Sequence, residues 1–119
     1  MKLYDIVFSP TGGTQKVAAL LTEALGGEVT HVDLTDSKLA FHTIQLTQDD
    51  VAVISVPSYG GRVPATAVER LATLNGQGAR AVLVCVYGNR AYEDTLVELE
   101  DAANQAGFQV IAAVATIAE

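Results

Sequence analysis

Residues 3–14 read LYDIVFSPTGGT, an apolar run followed at once by hydroxyl-bearing and glycine residues. The run from Leu3 to Phe8 is typical of a buried strand, and the amphipathic pattern that begins near Gln15 predicts a helix. The residues between them, Ser9 to Thr14, therefore connect a strand to a helix N-terminus. Amide N–H groups and the dipole at a helix N-terminus attract anions, and hydroxyl groups donate further hydrogen bonds.

This first loop suits a phosphate monoester held by neutral donors, because no lysine lies within it. The candidate phosphate ligands are Ser9, Thr11, Gly12, Gly13 and Thr14. An ordinary strand-to-helix turn capped by a threonine is the alternative. The Gly-Lys-Ser/Thr sequence of nucleoside triphosphatases and the Gly-x-Gly-x-x-Gly fingerprint of dinucleotide sites are both absent.

Composition restricts the classes of function that remain. The chain has 119 residues, half of them hydrophobic, and a formal net charge of −7, which predicts one globular domain and argues against a nucleic-acid partner. The single cysteine, Cys85, lies in an apolar run and is expected to be a buried, inert thiol. His31 and His42 lie away from the loops, so neither a metal site nor a catalytic acid or base is predicted. No signal peptide or membrane-spanning stretch is found, and a cytoplasmic location is the expectation.

Apolar segments and helical patterns alternate along the chain. Strands are predicted at 3–8, 28–34, 51–56, 81–86 and 108–117, and helices at 16–25, after Pro64, and at 92–106, while 35–50 is ambiguous. The first helix carries Val17, Leu20, Leu21 and Ala24 on one face. Near-continuous apolar strands indicate a parallel sheet covered by helices, an α/β three-layer sandwich with strand order 2-1-3-4-5.

The sequence given ends at its fifth predicted strand, so the last helix expected of such a sheet is missing. The face that the first helix covers only partly would then be completed by a partner chain, as in a homodimer, or by more of a longer protein of which residues 1–119 form the N-terminal part.

Three unusual loops leave the carboxyl ends of predicted strands: residues 9–14, 57–64 and 87–94. Ligands of open α/β sheets bind at this edge. The second and third loops each carry a tyrosine beside glycine, Tyr59 and Tyr92, and two tyrosines on opposing loops can sandwich a flat ring. Gly60 and Gly61 would let the backbone approach the edge of such a ring.

These loops resemble those of the flavodoxins, in order and over essentially the whole chain. Residues 9–14 are similar to the Ser/Thr-x-Thr-Gly-x-Thr loop that binds the phosphate of FMN. Tyr59-Gly60 resembles the aromatic-Gly pair beside the flavin, and Gly88-Asn89 with Tyr92 resembles the loop whose tyrosine stacks on the ring. The variant most similar to this pattern is the flavodoxin-like domain fused to bacterial ferredoxin modules, which also has a Tyr-Gly-Gly-Arg-Val-Pro-like loop.

The resemblance implies an electron-transfer protein that binds FMN and serves redox proteins of the ferredoxin or flavin reductase type. The implied cofactor ligands are Ser9, Thr11, Gly12, Gly13, Thr14, Ser58, Tyr59, Gly60, Gly61, Gly88, Asn89 and Tyr92. A flavin-dependent oxidoreductase stays open, and the alternative from another class is a cofactor-free flavodoxin-like interaction module.

Two residues depart from the family, which usually has Asp where Asn89 stands and often has acids near the position of Arg62. A cationic Arg62 and a neutral Asn89 beside the ring would repel a reduced, anionic flavin less. Alternatively, Arg62 points to solvent or pairs with Glu69.

Overall fold

Strands and helices alternate through residues 2–59, 61–87 and 93–117, the part of the chain that the computed structural model describes. The strands are β1 (Leu3–Val7), β2 (Val29–Asp33), β3 (Val51–Pro57), β4 (Arg80–Tyr87) and β5 (Gln109–Ile117). The helices are α1 (Gly13–Leu25), α2 (Ala65–Ala72) and α3 (Glu93–Gln105), with a short 3-10 turn at Phe41–Thr43 in the segment that the sequence left ambiguous. None of the helices in these residues has the length and hydropathy of a membrane span.

The five strands are parallel and lie in the order β2-β1-β3-β4-β5, which confirms the predicted fold class. Because β2 lies on one side of β1 and β3 on the other, the strand order reverses at β1. The carboxyl ends of β1, β3 and β4 lie side by side at one sheet edge. The crevice beside such a reversal is where open α/β sheets bind ligands.

Helices cover the two faces of the sheet unequally. The larger apolar cluster joins α2 and α3 to one face through Leu71 and Leu99, and its buried strand residues include Ile54 and Leu83. On the opposite face α1 is the one helix among the described elements, and it lies beside a smaller cluster that includes Val53 and Val84. The layered arrangement follows from strands that are apolar on both faces.

Two glycines allow a close backbone contact between the segments that follow α2 and α3. An added Cβ at Gly76 would lie 2.7 Å from the carbonyl carbon of Gly107 and 2.7 Å from the amide nitrogen of Phe108. Gly76 follows α2, and its amide donates to the carbonyl of Ala106 at 2.9 Å. Its place in the structure is a close backbone approach that leaves no room for a side chain.

The apolar stripe predicted on α1 is covered only in part, since Val17 and Leu21 are half-buried against the smaller cluster and the rest of the stripe is exposed. Leu20 is 69% exposed, and the buried residues of the helix are instead Thr14, Ala18 and Thr22. The stripe faces a groove of about 710 Å³ between α1 and β5, whose far wall includes Val114 and Ile117. Leu20 is exposed because no described element fills that groove.

Candidate functional site

The first loop ends at a glycine in the left-handed region. Gly12 has φ of 90° and precedes the first residue of α1. A residue with a Cβ is disfavoured in that conformation. Because the backbone of Gly12 is not helical, α1 begins after it, at Gly13, three residues before the predicted start at residue 16. No threonine caps the helix. The threonine cap of the alternative interpretation is therefore wrong, because Gly12 occupies the N-cap position.

Ser9 supports the loop from within. Its Oγ accepts a hydrogen bond from the amide of Gln15 at 3.0 Å, and its own amide donates to Oγ1 of Thr35 at 2.8 Å. The hydroxyl hydrogen of Ser9 remains available to donate to a ligand. The chain is thus fixed on both sides of the Pro10–Thr14 turn.

The space above this loop is open. A Cβ built on Gly12 or on Gly13 meets no atom within 4 Å. Among the described residues, the amides of residues 11–14 donate no hydrogen bond to another protein group, as expected for the first turn of a helix. Thr11 is exposed, Thr14 is buried, and the first turn carries no acid. This donor set fits a phosphate.

The second loop turns sharply from Tyr59 to Arg62. The Tyr59 amide donates to the Arg62 carbonyl at 2.9 Å, and the Arg62 amide donates to the Tyr59 carbonyl at 3.1 Å. Gly61, inside the turn, has φ of 80°, a conformation that favours glycine. The Tyr59 side chain is 49% exposed at the sheet edge, where it can contact a planar ligand.

Both ends of the second loop are attached to α3. Oγ of Ser58 lies 2.7 Å from Oγ1 of Thr95. At the other end, Nη2 and Nε of Arg62 donate to Oε2 of Glu98 at 2.7 and 3.1 Å, and the amide of Val63 donates to Oε1 at 2.7 Å. The hydrogen bond from Arg62 is the main cause that lowers the pKa of Glu98.

This ion pair corrects the predictions for Arg62. The partner is Glu98, 36 residues along the chain, and not Glu69. Because the carboxylate of Glu98 neutralises the guanidinium, Arg62 is a weaker source of positive charge for a ligand than the sequence suggested.

Comparison with known proteins bears on the fold. A flavodoxin from Streptococcus pneumoniae TIGR4 superposes with a TM-score of 0.71 over 100% of this chain and 87% of its own, at 16% identity. Two-electron reduced Megasphaera elsdenii flavodoxin gives a TM-score of 0.66 over 98% and 85%, at 20% identity. A flavoprotein in complex with FMN from Lactobacillus acidophilus NCFM gives 0.65 over 97% and 91%, at 9% identity. No protein-family model and no curated protein matches the sequence.

The chain has the fold of a flavodoxin. The likeness of strand order and layers is strong, whereas identities this low establish the fold alone. The first loop of this flavodoxin fold is described in full. In the other two, the predicted ligands Gly60, Gly88, Asn89 and Tyr92 lie outside the described residues.

Sequence reasoning missed a polar pair beside the first loop of the flavodoxin fold. Oδ2 of Asp5 lies 3.0 Å from Nδ1 of His31, and Oδ1 of Asp5 is buried without a hydrogen-bond partner among the described residues. Both line a pocket of about 50 Å³ together with Ser9, so His31 is closer to the loop than predicted. The signal available in the sequence was an acid inside an apolar strand, since such an acid needs a partner.

The thiol of Cys85 and the metal-binding side chains are the other reactive groups among the described residues. Cys85 is buried as predicted, and burial raises the pKa of its thiol to about 11, which keeps it protonated and unreactive. Within the residues that the structure describes, no group of three or more histidine, cysteine or acidic side chains is placed to hold a metal ion.

Proposed function

We propose that this chain binds FMN without a covalent bond and transfers electrons between redox proteins, in the manner of a flavodoxin. The observation that carries the proposal is the first loop, at a helix N-terminus. Within the described part of the chain, the amides of residues 11–14 have no protein acceptor and the space above two glycines is open. This cradle lies at the reversal of strand order, where a nucleotide is expected in such a sheet.

Each part of the cofactor has candidate ligands. Ser9, Thr11 and the amides of residues 11–14 would hold the phosphate, and Tyr59 would cover part of the ring. Ser58, whose hydroxyl contacts Thr95, would act mainly by fixing the loop. Gly60, Gly61, Gly88, Asn89 and Tyr92 stay as predicted contacts to the ring. The bound flavin supplies the ability to take up and release one or two electrons, and the protein positions it.

The implied partners are redox proteins of the ferredoxin or flavin reductase type. The net charge of −7 favours partners with a basic face, because opposite potentials speed encounter. The predicted cytoplasmic location and the single domain over residues 1–119 remain part of this proposal.

An absorption spectrum and a fluorescence titration test the proposal. We expect purified chain to take up FMN and to quench its fluorescence. Riboflavin, which lacks the phosphate, is the control ligand and should bind at least about tenfold more weakly, because charge-assisted hydrogen bonds are worth about 1.5–3 kcal/mol each. Equal affinity for FMN and riboflavin would show that the first loop does not bind the phosphate. If neither ligand binds, the proposed function is wrong.

A second candidate is a cofactor-free interaction module of the same fold. It is favoured by the apolar groove between α1 and β5, which contains Leu20, Val114 and Ile117 at exposures of 69%, 41% and 56%. A chain that ignores FMN but associates through this groove would establish the module in place of the electron carrier.

A further inference from the structure

One helix holds both ends of the second loop. Thr95 contacts Ser58 where the loop begins, and Glu98 binds Arg62 and Val63 where it ends. Thr95 and Glu98 are three residues apart on α3, so they lie on the same face of the helix. The spacing of one helical turn therefore sets the distance between the two ends of the loop.

The contacts made by Glu98 are specific. Its two carboxylate oxygens have different tasks, since Oε1 accepts from the Val63 backbone and Oε2 accepts from the Arg62 side chain. The side chain of Glu98 is only 27% exposed, whereas that of Arg62 is 74% exposed. Charge-assisted hydrogen bonds of this kind fix geometry more firmly than neutral ones.

The segment between these two anchors is the turn that carries Tyr59. The hydrogen bonds between Tyr59 and Arg62 close the turn, and the Arg62 side chain connects it to the helix. Thr95 is fully buried, so the anchor at the start of the loop cannot shift without disturbing the core. The direction in which Tyr59 points thus depends on α3.

We propose that Thr95 and Glu98 are positioning residues for the candidate flavin site, and this inference rests on the proposed function. Neither residue needs to touch the ligand. They hold the Tyr59–Arg62 turn in the shape that a ring at the sheet edge would meet, so that less ordering remains to be done when the ligand binds. Glu98 also keeps the charge of Arg62 compensated at the rim of the site.

The test uses Glu98→Gln, with Glu100→Gln as the matched control, because Glu100 is an exposed acid on the same helix and its loss changes net charge equally. Amide hydrogen exchange of Tyr59, Arg62 and Val63 is measured in the FMN-free chain. We expect exchange about two- to fivefold faster in Glu98→Gln, the range for a partly exposed ion pair, and no change in Glu100→Gln. Equal exchange in the two variants would overturn the inference.

A second arm measures FMN. Glu98→Gln should weaken binding by a similar factor and shift the visible band of bound FMN, whereas Glu100→Gln should do neither. Thr95→Val, which keeps the shape of the buried side chain and loses its hydroxyl, should act in the same direction as Glu98→Gln. Faster exchange with unchanged FMN affinity and spectrum would show a structural role only and overturn the positioning role.

Failure of the proposed function is distinguishable from failure of this inference. If the parent chain binds no FMN, both the flavin site and the positioning role are wrong. The hydrogen-exchange measurement still shows whether Glu98 holds the Tyr59–Arg62 turn. A parent that binds FMN, with variants that bind it equally well, removes the inference alone.

Discussion

Asp5 on β1 and His31 on β2 lie opposite each other in register and share a hydrogen bond of 3.0 Å between Oδ2 and Nδ1. The carboxylate is buried beneath α1, and its second oxygen, Oδ1, has no partner among the described protein groups. Burial raises the pKa of Asp5 above its ordinary value, although the contact with His31 opposes the shift. A strand that is otherwise apolar thus contains an acid whose charged form is costly to bury.

Asp5 makes the stability of the fold depend on pH. Because its pKa is higher in the folded than in the unfolded chain, the folded chain binds more protons, and stability falls as pH rises through the folded pKa. Asp5→Asn removes the charge and keeps an oxygen for His31. We expect its free energy of unfolding to exceed that of the parent by on the order of 1 kcal/mol at pH 7 and by less at pH 4.

Urea unfolding at the two pH values measures this difference. Asp49→Asn removes an exposed acid and serves as the control for the loss of one acidic side chain. An Asp5→Asn variant less stable than the parent at pH 7 would show that the contact between the Asp5 carboxyl group and His31 outweighs the cost of burial.

The Thr11 hydroxyl is predicted to donate to the phosphate of FMN. Thr11 is exposed, so Thr11→Val should leave the free energy of unfolding within about 0.5 kcal/mol of the parent. FMN affinity should fall by about tenfold or more, since a hydrogen bond to a charged group is lost. Calorimetry measures the affinity, and Thr11→Ser should restore it. Unchanged affinity would show that Thr11 does not bind the phosphate. The same substitution at Thr14, which is buried, would then test that residue.

Gly13→Ala is predicted to change the stability of the fold and its affinity for FMN in opposite directions. An added methyl group meets no protein atom there, and alanine favours the helix, so Gly13→Ala should raise the free energy of unfolding by about 0.5–1 kcal/mol. The same methyl group would occupy the open cradle and should weaken FMN binding by about tenfold. Riboflavin affinity, measured in parallel, should not change. A variant that gains stability and keeps its FMN affinity would contradict the proposal that the phosphate lies in the open space above Gly13.

The strand order and the first loop were predictable from the sequence because both depend on local patterns. Apolar runs define the strands, and Gly12 lies where the strand passes into the helix. Contacts between distant residues were not predictable in this way. The Asp5–His31 pair spans 26 residues and the Arg62–Glu98 pair spans 36, so each depends on the strand register or on how α3 lies across the sheet. The exposure of Leu20 likewise depends on what lies opposite α1, which helical periodicity does not reveal.

The free edge of β5 is predicted to pair with a second copy of the chain. Its sequence, QVIAAVATI, contains no charge and no proline, and among the described strands it pairs only with β4. Such an edge presents unpaired amides and carbonyls, and the adjoining groove adds exposed apolar area. Two copies related by a two-fold axis would satisfy both edges at once. Salt should strengthen this association, because each copy carries a net charge of −7.

Sedimentation over a range of protein concentrations tests this pairing. Val114→Glu places a charge in the groove and should yield a monomer, whereas Val97→Glu, at a 62% exposed position on α3, should behave like the parent. Both variants carry the same added charge, so a difference between them assigns the interface to the β5 side of the sheet. A parent chain that stays monomeric at high concentration and high salt would exclude the dimer, and equal loss of association in both variants would indicate charge repulsion without a defined interface.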